Sequence, residues 1–345
     1  PDGAVVLGSS AIEAVGSARR LRAGYPAIPW EDLPDTILLP GLANAHTHLS
    51  LTGLRNQIPL GSGYLDWLSR TTAAARDLGV EEIESAVTEG VEESLRLGTA
   101  AVGEITTRAE GTRLLEQNPA LQARIFFEFL GVSETRGRRN FRSALTRALA
   151  MGGGSAVPGL SPHAPYSVWP ALWEEMAVAT REHGLPWSTH LAEPPGEEEF
   201  LARGTGPLRD YLEGLGVWDT SFPVPGVTGT QLIKAAGALG PQALLVHGVH
   251  LNPGDIQTIA ASGANVCLCP RSNAFLGLPP PPVSELARAS VPLALGTDSV
   301  ASNRDLSVWA EIRAIQDLAP DLSGSRILEM ATVAGFRALG FEAMG

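Results

Sequence analysis

The feature that most constrains the fold is an alternation, repeated along the chain, of short apolar runs with longer segments of helical periodicity. Short runs of apolar and β-branched residues predict strands, whereas apolar positions spaced three and four residues apart predict amphipathic helices. The predicted strands are residues 37–39, 99–105, 124–130, 157–161, 186–190, 243–247, 265–269 and 291–297. Eight strands that are each followed by a helix predict an α/β fold, a distorted (β/α)8 TIM barrel, with a doubly wound open sheet as the alternative.

The first residues of the chain follow a different pattern. Short apolar stretches at 4–7 and 11–15 alternate with Gly and Ser, which predicts small β-strands and turns. We therefore expect a small β-domain, a partial β-sandwich, over residues 1–36 and the barrel domain over residues 37–345. The predicted helices of the barrel include residues 81–97, 171–183, 231–239 and 253–261.

The charge of the chain limits its partners. With 25 Lys and Arg residues against 37 Asp and Glu residues, the formal net charge is -12 at pH 7. Nucleic acids and anionic membranes are bound by clustered basic residues, so we expect neither as a partner. No apolar stretch approaches the ~20 residues that cross a bilayer. Cys267 and Cys269 lie on one face of a predicted strand, where we expect reduced core residues of a cytoplasmic protein.

Polar residues are concentrated where the predicted strands end, at the face where (β/α)8 barrels carry their active sites. In strand order they are His46 and His48, Glu104, His163, His190 and Glu193, His247 and His250, Arg271 and Asn273, and Asp298. Histidines that served only as core residues would be scattered over helices and strand starts. The distribution therefore predicts a metal or catalytic site at this face.

The segment PGLANAHTHLS contains the strongest local sign of a metal, His46 and His48 separated by one threonine. In an extended backbone, residues i and i+2 project from the same side, so the two imidazoles can converge on one ion. A histidine pair at this spacing also arises by chance, and it is the other strand-end residues that favour the metal interpretation.

Taken in order, the motifs resemble those of the amidohydrolase superfamily, specifically its branch of single-metal deaminases and chlorohydrolases. The resemblance is carried by PGLANAHTH, SPHAPYS, STHLAE, LLVHGVHL, CLCPRSN and LGTDSVASN. Binuclear members of this superfamily usually bridge two metals with a carbamylated lysine at the fourth strand. Here that strand reads GLSPHAPYS, without a lysine, so the resemblance implies one divalent metal, with Zn2+ favoured and Fe2+ as the alternative.

The resemblance also implies a role for each polar residue. The implied metal ligands are His46, His48, His190 and Asp298. Glu193 would pass a proton from a metal-activated water to a ring nitrogen of the substrate, while His247 and Asp298 would stabilise and orient the attacking oxygen. His250 fits the end of the sixth strand as well, and His247 is preferred because it ends the apolar run.

Three segments, GTAAVGEI, CPRSN and GTDSVASN, are similar to the aminodeoxyfutalosine deaminases within this branch. The resemblance implies a metal-dependent deaminase that releases ammonia from an adenine-containing substrate, first of all 6-aminodeoxyfutalosine in menaquinone biosynthesis. Deaminases of S-adenosylhomocysteine, adenosine, guanine or cytosine and triazine chlorohydrolases are the alternatives. A non-catalytic metal-binding barrel that serves as an interaction module is a further one.

Such a substrate joins an adenine to a ribose and a benzoate carboxylate, and the planar fork of arginine matches a carboxylate. The candidate arginines are Arg271, Arg136, Arg138 and Arg139. His163 and Tyr166 are candidates for contacts with the ribose or the ring. We therefore expect a small molecule as the partner, and a homo-oligomer is compatible with the sequence.

Overall fold

The computed structural model of the chain describes residues 2–9, 11–61 and 63–344. The chain divides into two compact units, Pro1–Leu39 and Pro40–Gly345. In the described part of the chain, no helix is both long and apolar enough to cross a membrane.

The first unit contains a two-stranded antiparallel sheet followed by a short helix. Its elements are β1 (Gly3–Leu7), β2 (Ile12–Ser17) and α1 (Ala18–Gly24). The two strands overlap the stretches 4–7 and 11–15, whereas α1 was not predicted. Ser17 begins this helix because its hydroxyl accepts a hydrogen bond from Arg20 N at 3.3 Å, which satisfies one of the free N–H groups of the first turn.

The second unit is a parallel sheet in which each strand pairs with the next one in sequence. Among the described residues it has eight strands: β3 (Leu42–Thr47), β4 (Thr99–Thr106), β5 (Gln122–Phe129), β6 (Ala156–Pro162), β7 (Trp187–Leu191), β8 (Ala243–His247), β9 (Asn265–Leu268) and β10 (Leu293–Leu295). A doubly wound sheet would change direction partway through this order. The predicted (β/α)8 barrel with a small N-terminal sheet is thus confirmed.

Polar contacts join the two ends of the sheet and nearly close the barrel. Asn44 of β3 donates to Thr297 Oγ1 at 2.8 Å and accepts from Thr297 N at 2.9 Å, just beyond β10. One residue later, Asp298 N donates to His46 O at 3.0 Å. The seam between first and last strand therefore runs directly beside the predicted metal ligands.

The predicted first strand, residues 37–39, is wrong. Ile37 is 82% exposed, and the strand that opens the barrel is β3, five residues further on. Pro40 cannot donate a backbone hydrogen bond to a sheet, so the apolar run directly before it is not continued into a central strand. Strand β3 was not predicted because its sequence, LANAHT, contains few large apolar residues, although all six residues are buried.

Helices follow the strands around the barrel. They are α2 (Tyr64–Asp77), α3 (Val80–Arg96), α4 (Thr112–Glu116), α5 (Glu134–Ala150), α6 (Ala171–His183), α7 (Glu197–Arg203), α8 (Pro207–Gly214), α9 (Gly229–Ala235), α10 (Pro253–Ser262), α11 (Pro270–Phe275), α12 (Val283–Arg288), α13 (Val308–Leu318), α14 (Gly324–Ala331) and α15 (Val333–Ala338). The sequence marks the ends of α10 clearly. The Asn252 side chain accepts from Asp255 N at 3.0 Å at its start, and Gly263, with φ of 74°, ends it.

Alternate residues of the barrel strands face the barrel interior and the outer helices. The interior apolar cluster contains Ala43, Ala45, Ala101, Phe126, Leu244, Val246, Cys267, Cys269 and Ala294. Both cysteines are buried and free, as predicted. In β5, Ile125 and Phe127 belong instead to the core shared with the helices. Two residues beyond Phe126, Glu128 therefore faces the C-terminal end of the interior.

Candidate metal centre and active site

Four predicted ligands converge at the C-terminal end of the barrel. His46 and His48 come from the end of β3, His190 from β7 and Asp298 from the loop after β10. The Nε2 atoms of His46 and His48 lie 3.6 and 3.4 Å from Asp298 Oδ1. The ring centroid of His46 is 5.0 Å from that of His190. We call these four residues the histidine–aspartate cluster.

Nitrogen atoms at the centre of the cluster lack hydrogen-bond partners. His46 is fully buried, and neither of its ring nitrogens has a hydrogen-bond partner among the described residues. Buried polar atoms are almost always paired, so such an orphan needs an explanation. His190 Nδ1 lies 2.8 Å from the carbonyl oxygen of His163, which assigns its proton to Nδ1 and leaves Nε2 as a free lone pair. This is the usual orientation of a histidine that binds a metal.

Asp298 is held rigidly with one oxygen turned to the histidines. Its Oδ2 accepts hydrogen bonds from Ser272 Oγ at 2.7 Å and Ser302 Oγ at 2.8 Å. Its backbone has φ of 57°, an uncommon conformation for a residue with a side chain and one that is enriched at functional sites. Because the serines occupy Oδ2, Oδ1 is the oxygen available to a bound ion.

The protonation states of the cluster suit a cation. Burial lowers the pKa of His48 to about 4 and that of His46 well below its ordinary value, so both rings are neutral near pH 7. Burial raises the pKa of Asp298, but the neighbouring His46 and His48 lower it further, and its net pKa lies well below the ordinary value. Neutral imidazoles beside a carboxylate are the donors that divalent transition metals prefer.

The spacing of these donors fits a single ion. One ligand atom from each of His46, His48 and Asp298 lies within 4.8 Å of the others, as do those of His46, His190 and His247. The fourth barrel strand, β6, contains no lysine that could bridge two metals. The one lysine of the chain, Lys234, is exposed on α9. The residues therefore fit one divalent metal, while the assignment of each ligand stays a prediction.

Glu193 and His247 form a pair beside the cluster. Glu193 Oε1 lies 3.4 Å from His247 Nε2, and both side chains are buried. His247 reaches this position through a backbone φ of 72°, and its Nδ1 lies 3.0 Å from Asn273 Oδ1, which fixes the ring. Burial raises the pKa of Glu193 to about 7. A carboxyl group with such a pKa can both accept and release a proton near neutral pH.

The alternative at the sixth strand, His250, is placed differently. His250 is exposed, and its N–H donates to Ala192 O at 2.8 Å in the loop after β7. The structure therefore brings His247, and not His250, to the cluster. The catalytic role of His247 stays a prediction.

The structure adds Tyr64, which the sequence analysis did not single out. This residue opens α2, and its hydroxyl donates to Glu193 Oε2 at 2.8 Å. Trp67, one turn further along α2, donates from Nε1 to Ala301 O at 3.1 Å. These bonds dock α2 onto the face of the site. No sequence signal could have found Tyr64, because it is separated from Glu193 by more than a hundred residues and belongs to no motif.

Two of the predicted substrate-binding residues lie next to the cluster. The His163 ring centroid is 4.9 Å from that of His190 and 5.8 Å from that of Tyr166. Ser167 Oγ lies 2.7 Å from His163 Nδ1 and fixes the imidazole plane. His163 and Tyr166 therefore form one wall of the candidate site.

The predicted arginines differ in whether they are already paired with carboxylates of the protein. Arg271 donates to Asp305 Oδ1 at 2.7 Å and lies 3.5 Å from the buried Glu311, so its guanidinium is already paired within the protein. Arg138 is paired with Glu134 and Glu175. Arg136, in the first turn of α5, is exposed and makes no ion pair within residues 2–9, 11–61 and 63–344.

The chain matches one protein-family model and is similar to two deaminases of known name. A model described as the amidohydrolase family matches residues 37–345. The aminodeoxyfutalosine deaminase of Deinococcus radiodurans is 32% identical over 353 residues, covering 99% of this chain and 82% of that protein. The 5-methylthioadenosine/S-adenosylhomocysteine deaminase of Moorella thermoacetica is 30% identical over 359 residues, covering 99% and 77%.

A solved structure supports the same relationship. The structure of an adenosine deaminase from Xanthomonas campestris with bound zinc superposes with a TM-score of 0.82 at 27% identity, covering 99% of this chain and 76% of that chain. The family model alone covers most of the chain, and the comparisons confirm the resemblance drawn from the strand-end motifs. The chain belongs to the amidohydrolase family of metal-dependent hydrolases.

Proposed function

We propose that this protein is a metal-dependent deaminase of an adenine nucleoside, and that its substrate is 6-aminodeoxyfutalosine. The observation that carries the proposal is the histidine–aspartate cluster with Glu193 and His247 beside it at the C-terminal end of the barrel. The Deinococcus and Moorella relatives, both deaminases by name, support the reaction. The substrate would place the chain in the route from futalosine compounds to menaquinone.

The histidine–aspartate cluster would hold one divalent ion, for which we propose Zn2+. Imidazole nitrogens and a carboxylate oxygen are ligands of zinc, and the Xanthomonas relative binds zinc. When bound, the ion supplies Lewis acidity that lowers the pKa of a water and so provides a nucleophile near neutral pH. The serines that hold Asp298 Oδ2 keep the other oxygen turned to the site, where it can also orient that nucleophile.

Glu193 would transfer the proton that activates the base. Its carboxyl group accepts one proton and delivers it to a ring nitrogen of the base, which makes the neighbouring carbon electrophilic. His247, whose Nε2 lies 3.4 Å from Glu193 Oε1, would stabilise charge that develops on the attacking oxygen. The oxygen of the water bonds to that carbon, and the second proton of the same water passes to the amino group. The carbon–nitrogen bond then breaks, so that ammonia leaves and a carbonyl group stands where the amino group was.

Arg136 distinguishes the proposed substrate from adenosine and 5-methylthioadenosine. The guanidinium is exposed in the first turn of α5, the helix that follows the strand carrying Glu128. The benzoate carboxylate of 6-aminodeoxyfutalosine gives it a partner, whereas adenosine and 5-methylthioadenosine have no carboxylate. S-adenosylhomocysteine does carry a carboxylate, and a deaminase of S-adenosylhomocysteine is the second candidate because the Moorella relative bears that name.

The test is ammonia release from the zinc-loaded protein, measured as kcat/KM on a panel of substrates. The panel contains 6-aminodeoxyfutalosine, S-adenosylhomocysteine, 5-methylthioadenosine, adenosine, guanine and cytosine, with chloride release from atrazine measured in parallel. We expect 6-aminodeoxyfutalosine to give the highest value. A higher value for S-adenosylhomocysteine would favour the second candidate, and activity only on guanine, cytosine or atrazine would contradict the proposal.

A further inference from the structure

Glu311 is a buried carboxyl group to which the proposed reaction assigns no role. It lies in the first turn of α13, and its side chain is fully buried. Its Oε1 accepts a hydrogen bond from Asn303 Nδ2 at 2.9 Å, and its Oε2 accepts one from Arg271 N at 3.1 Å. Acidic side chains are almost never fully buried unless they are paired. Each oxygen of this carboxyl group thus holds a different segment of the chain.

Each of these two contacts lies next to a serine that binds Asp298. Ser272 follows Arg271 in the chain, and Ser302 precedes Asn303. The two serine hydroxyls lie 2.8 Å from each other, and both donate to Asp298 Oδ2. The buried carboxyl group therefore joins the two segments whose serines leave Asp298 Oδ1 turned to the histidines.

These contacts require acceptor oxygens and no particular charge. Burial raises the pKa of Glu311 to about 7, against the opposing effect of the hydrogen bonds from Asn303 and Arg271. A carboxyl group accepts hydrogen bonds both when it is ionised and when it is protonated. Glutamine has one oxygen and one NH2 group, so in Glu311→Gln an NH2 group would face an N–H donor. This substitution keeps the size of the side chain and removes one of the two contacts.

We propose that Glu311 is a positioning residue for the metal site, which acts on Asp298 through Ser272 and Ser302. This inference rests on the proposed function, because it takes the histidine–aspartate cluster to bind one divalent ion. Loss of a group that orients a metal ligand typically lowers metal affinity by about 10- to 100-fold. Glu311 reaches the ligand through the serines, so we expect a change at the lower end of this range.

The experiment compares the zinc affinity of wild-type protein and Glu311→Gln, measured by competition with a chelator of known affinity. The Kd for Zn2+ should rise about tenfold in Glu311→Gln. In a background with both Ser272→Ala and Ser302→Ala, the same change should leave the Kd unchanged, because the contacts through which it acts are gone. Asp317→Asn, on the exposed side of α13, is the matched control and should bind zinc as the wild type does.

Denaturant unfolding of the metal-free proteins separates positioning from a purely structural role. A less stable Glu311→Gln protein whose Kd for Zn2+ is unchanged would overturn the inference, as would an equal loss of affinity with and without the serines. If Glu311→Gln does not fold, the variant that lacks both serines decides, because an unchanged Kd in that variant would also overturn it. Wild-type protein that binds no zinc would instead refute the metal site of the proposed function.

Discussion

The two ends of the candidate site differ in how firmly the fold fixes them. At the metal end, His46, His190 and Asp298 are buried on or directly after strands, and hydrogen bonds orient His190 and Asp298. We call the end at which we propose that the substrate carboxylate binds the rim. Of its two candidate residues, Arg136 is exposed on the first turn of a helix and Arg271 is bound to other side chains. Burial leaves a polar side chain few alternatives, whereas an exposed arginine can take many positions.

The largest effect is expected when the metal end loses a ligand. His190→Ala should lose both bound metal and ammonia release, because the remaining donors leave the ion with an incomplete set of ligands. Metal content by mass spectrometry and ammonia release would be measured on the same sample. His183→Ala, at the exposed end of α6, is the control and should keep both. Stoichiometric metal in His190→Ala would show that the ligand set is wrong.

Next in size is the loss of the proton carrier. Glu193→Gln should lower kcat by about 10²- to 10⁴-fold, the usual contribution of general acid–base catalysis, while metal content stays unchanged. The matched control is Glu198→Gln, which alters an exposed carboxylate five residues away. Full activity in Glu193→Gln would remove Glu193 from the reaction and leave His247 as the nearest alternative.

A substitution at the rim should change the KM for the proposed substrate and leave kcat unchanged. Arg136→Ala should raise KM for 6-aminodeoxyfutalosine by about 10- to 100-fold, the value of a charge-assisted hydrogen bond, and leave adenosine kinetics unchanged. Steady-state kinetics on both substrates would measure this difference. A KM that does not change would mean that another group binds the carboxylate.

Arg271→Ala sharpens the same comparison, because Arg271 is the arginine that the fold has already paired. Its loss leaves the buried Glu311 without a cation and should cost about 1–3 kcal/mol of unfolding free energy. The KM for 6-aminodeoxyfutalosine should not change. Denaturant unfolding together with the same kinetics would separate the two arginines.

A smaller effect is expected at the contact between α2 and the metal end. Tyr64→Phe removes only the hydroxyl that donates to Glu193 and should lower kcat about tenfold with KM unchanged. In a Glu193→Gln background the same change should have no further effect on kcat, since the group it positions is gone. Tyr25→Phe, directly after α1 in the first unit of the chain, serves as the control and should leave kcat unchanged. An equal loss in both backgrounds would mean that Tyr64 acts independently of Glu193.

The residues of the metal end could be predicted because strand ends and side-chain types are both visible in the sequence. His46, His48 and Asp298 each follow a run of buried small or apolar residues, and the barrel brings such ends together. The position of β3 in the sequence was predicted wrongly because Ala and Asn fill its buried positions.

The sequence could not predict which rim arginine is paired, nor the contact between α2 and Glu193. Whether Arg136 or Arg271 is free depends on the partners that folding brings to each, here Asp305 and Glu311 for Arg271. Tyr64 reaches Glu193 only because α2 folds back over the site, a contact that no local pattern encodes.

The most direct test of the central claim is a metal titration. Protein stripped with a chelator is mixed with increasing Zn2+ while ammonia release from the best substrate is followed. The histidine–aspartate cluster predicts no activity without metal and a plateau at one equivalent per chain. Activity in the stripped protein, or a plateau that needs two equivalents, would contradict a single catalytic metal at this site.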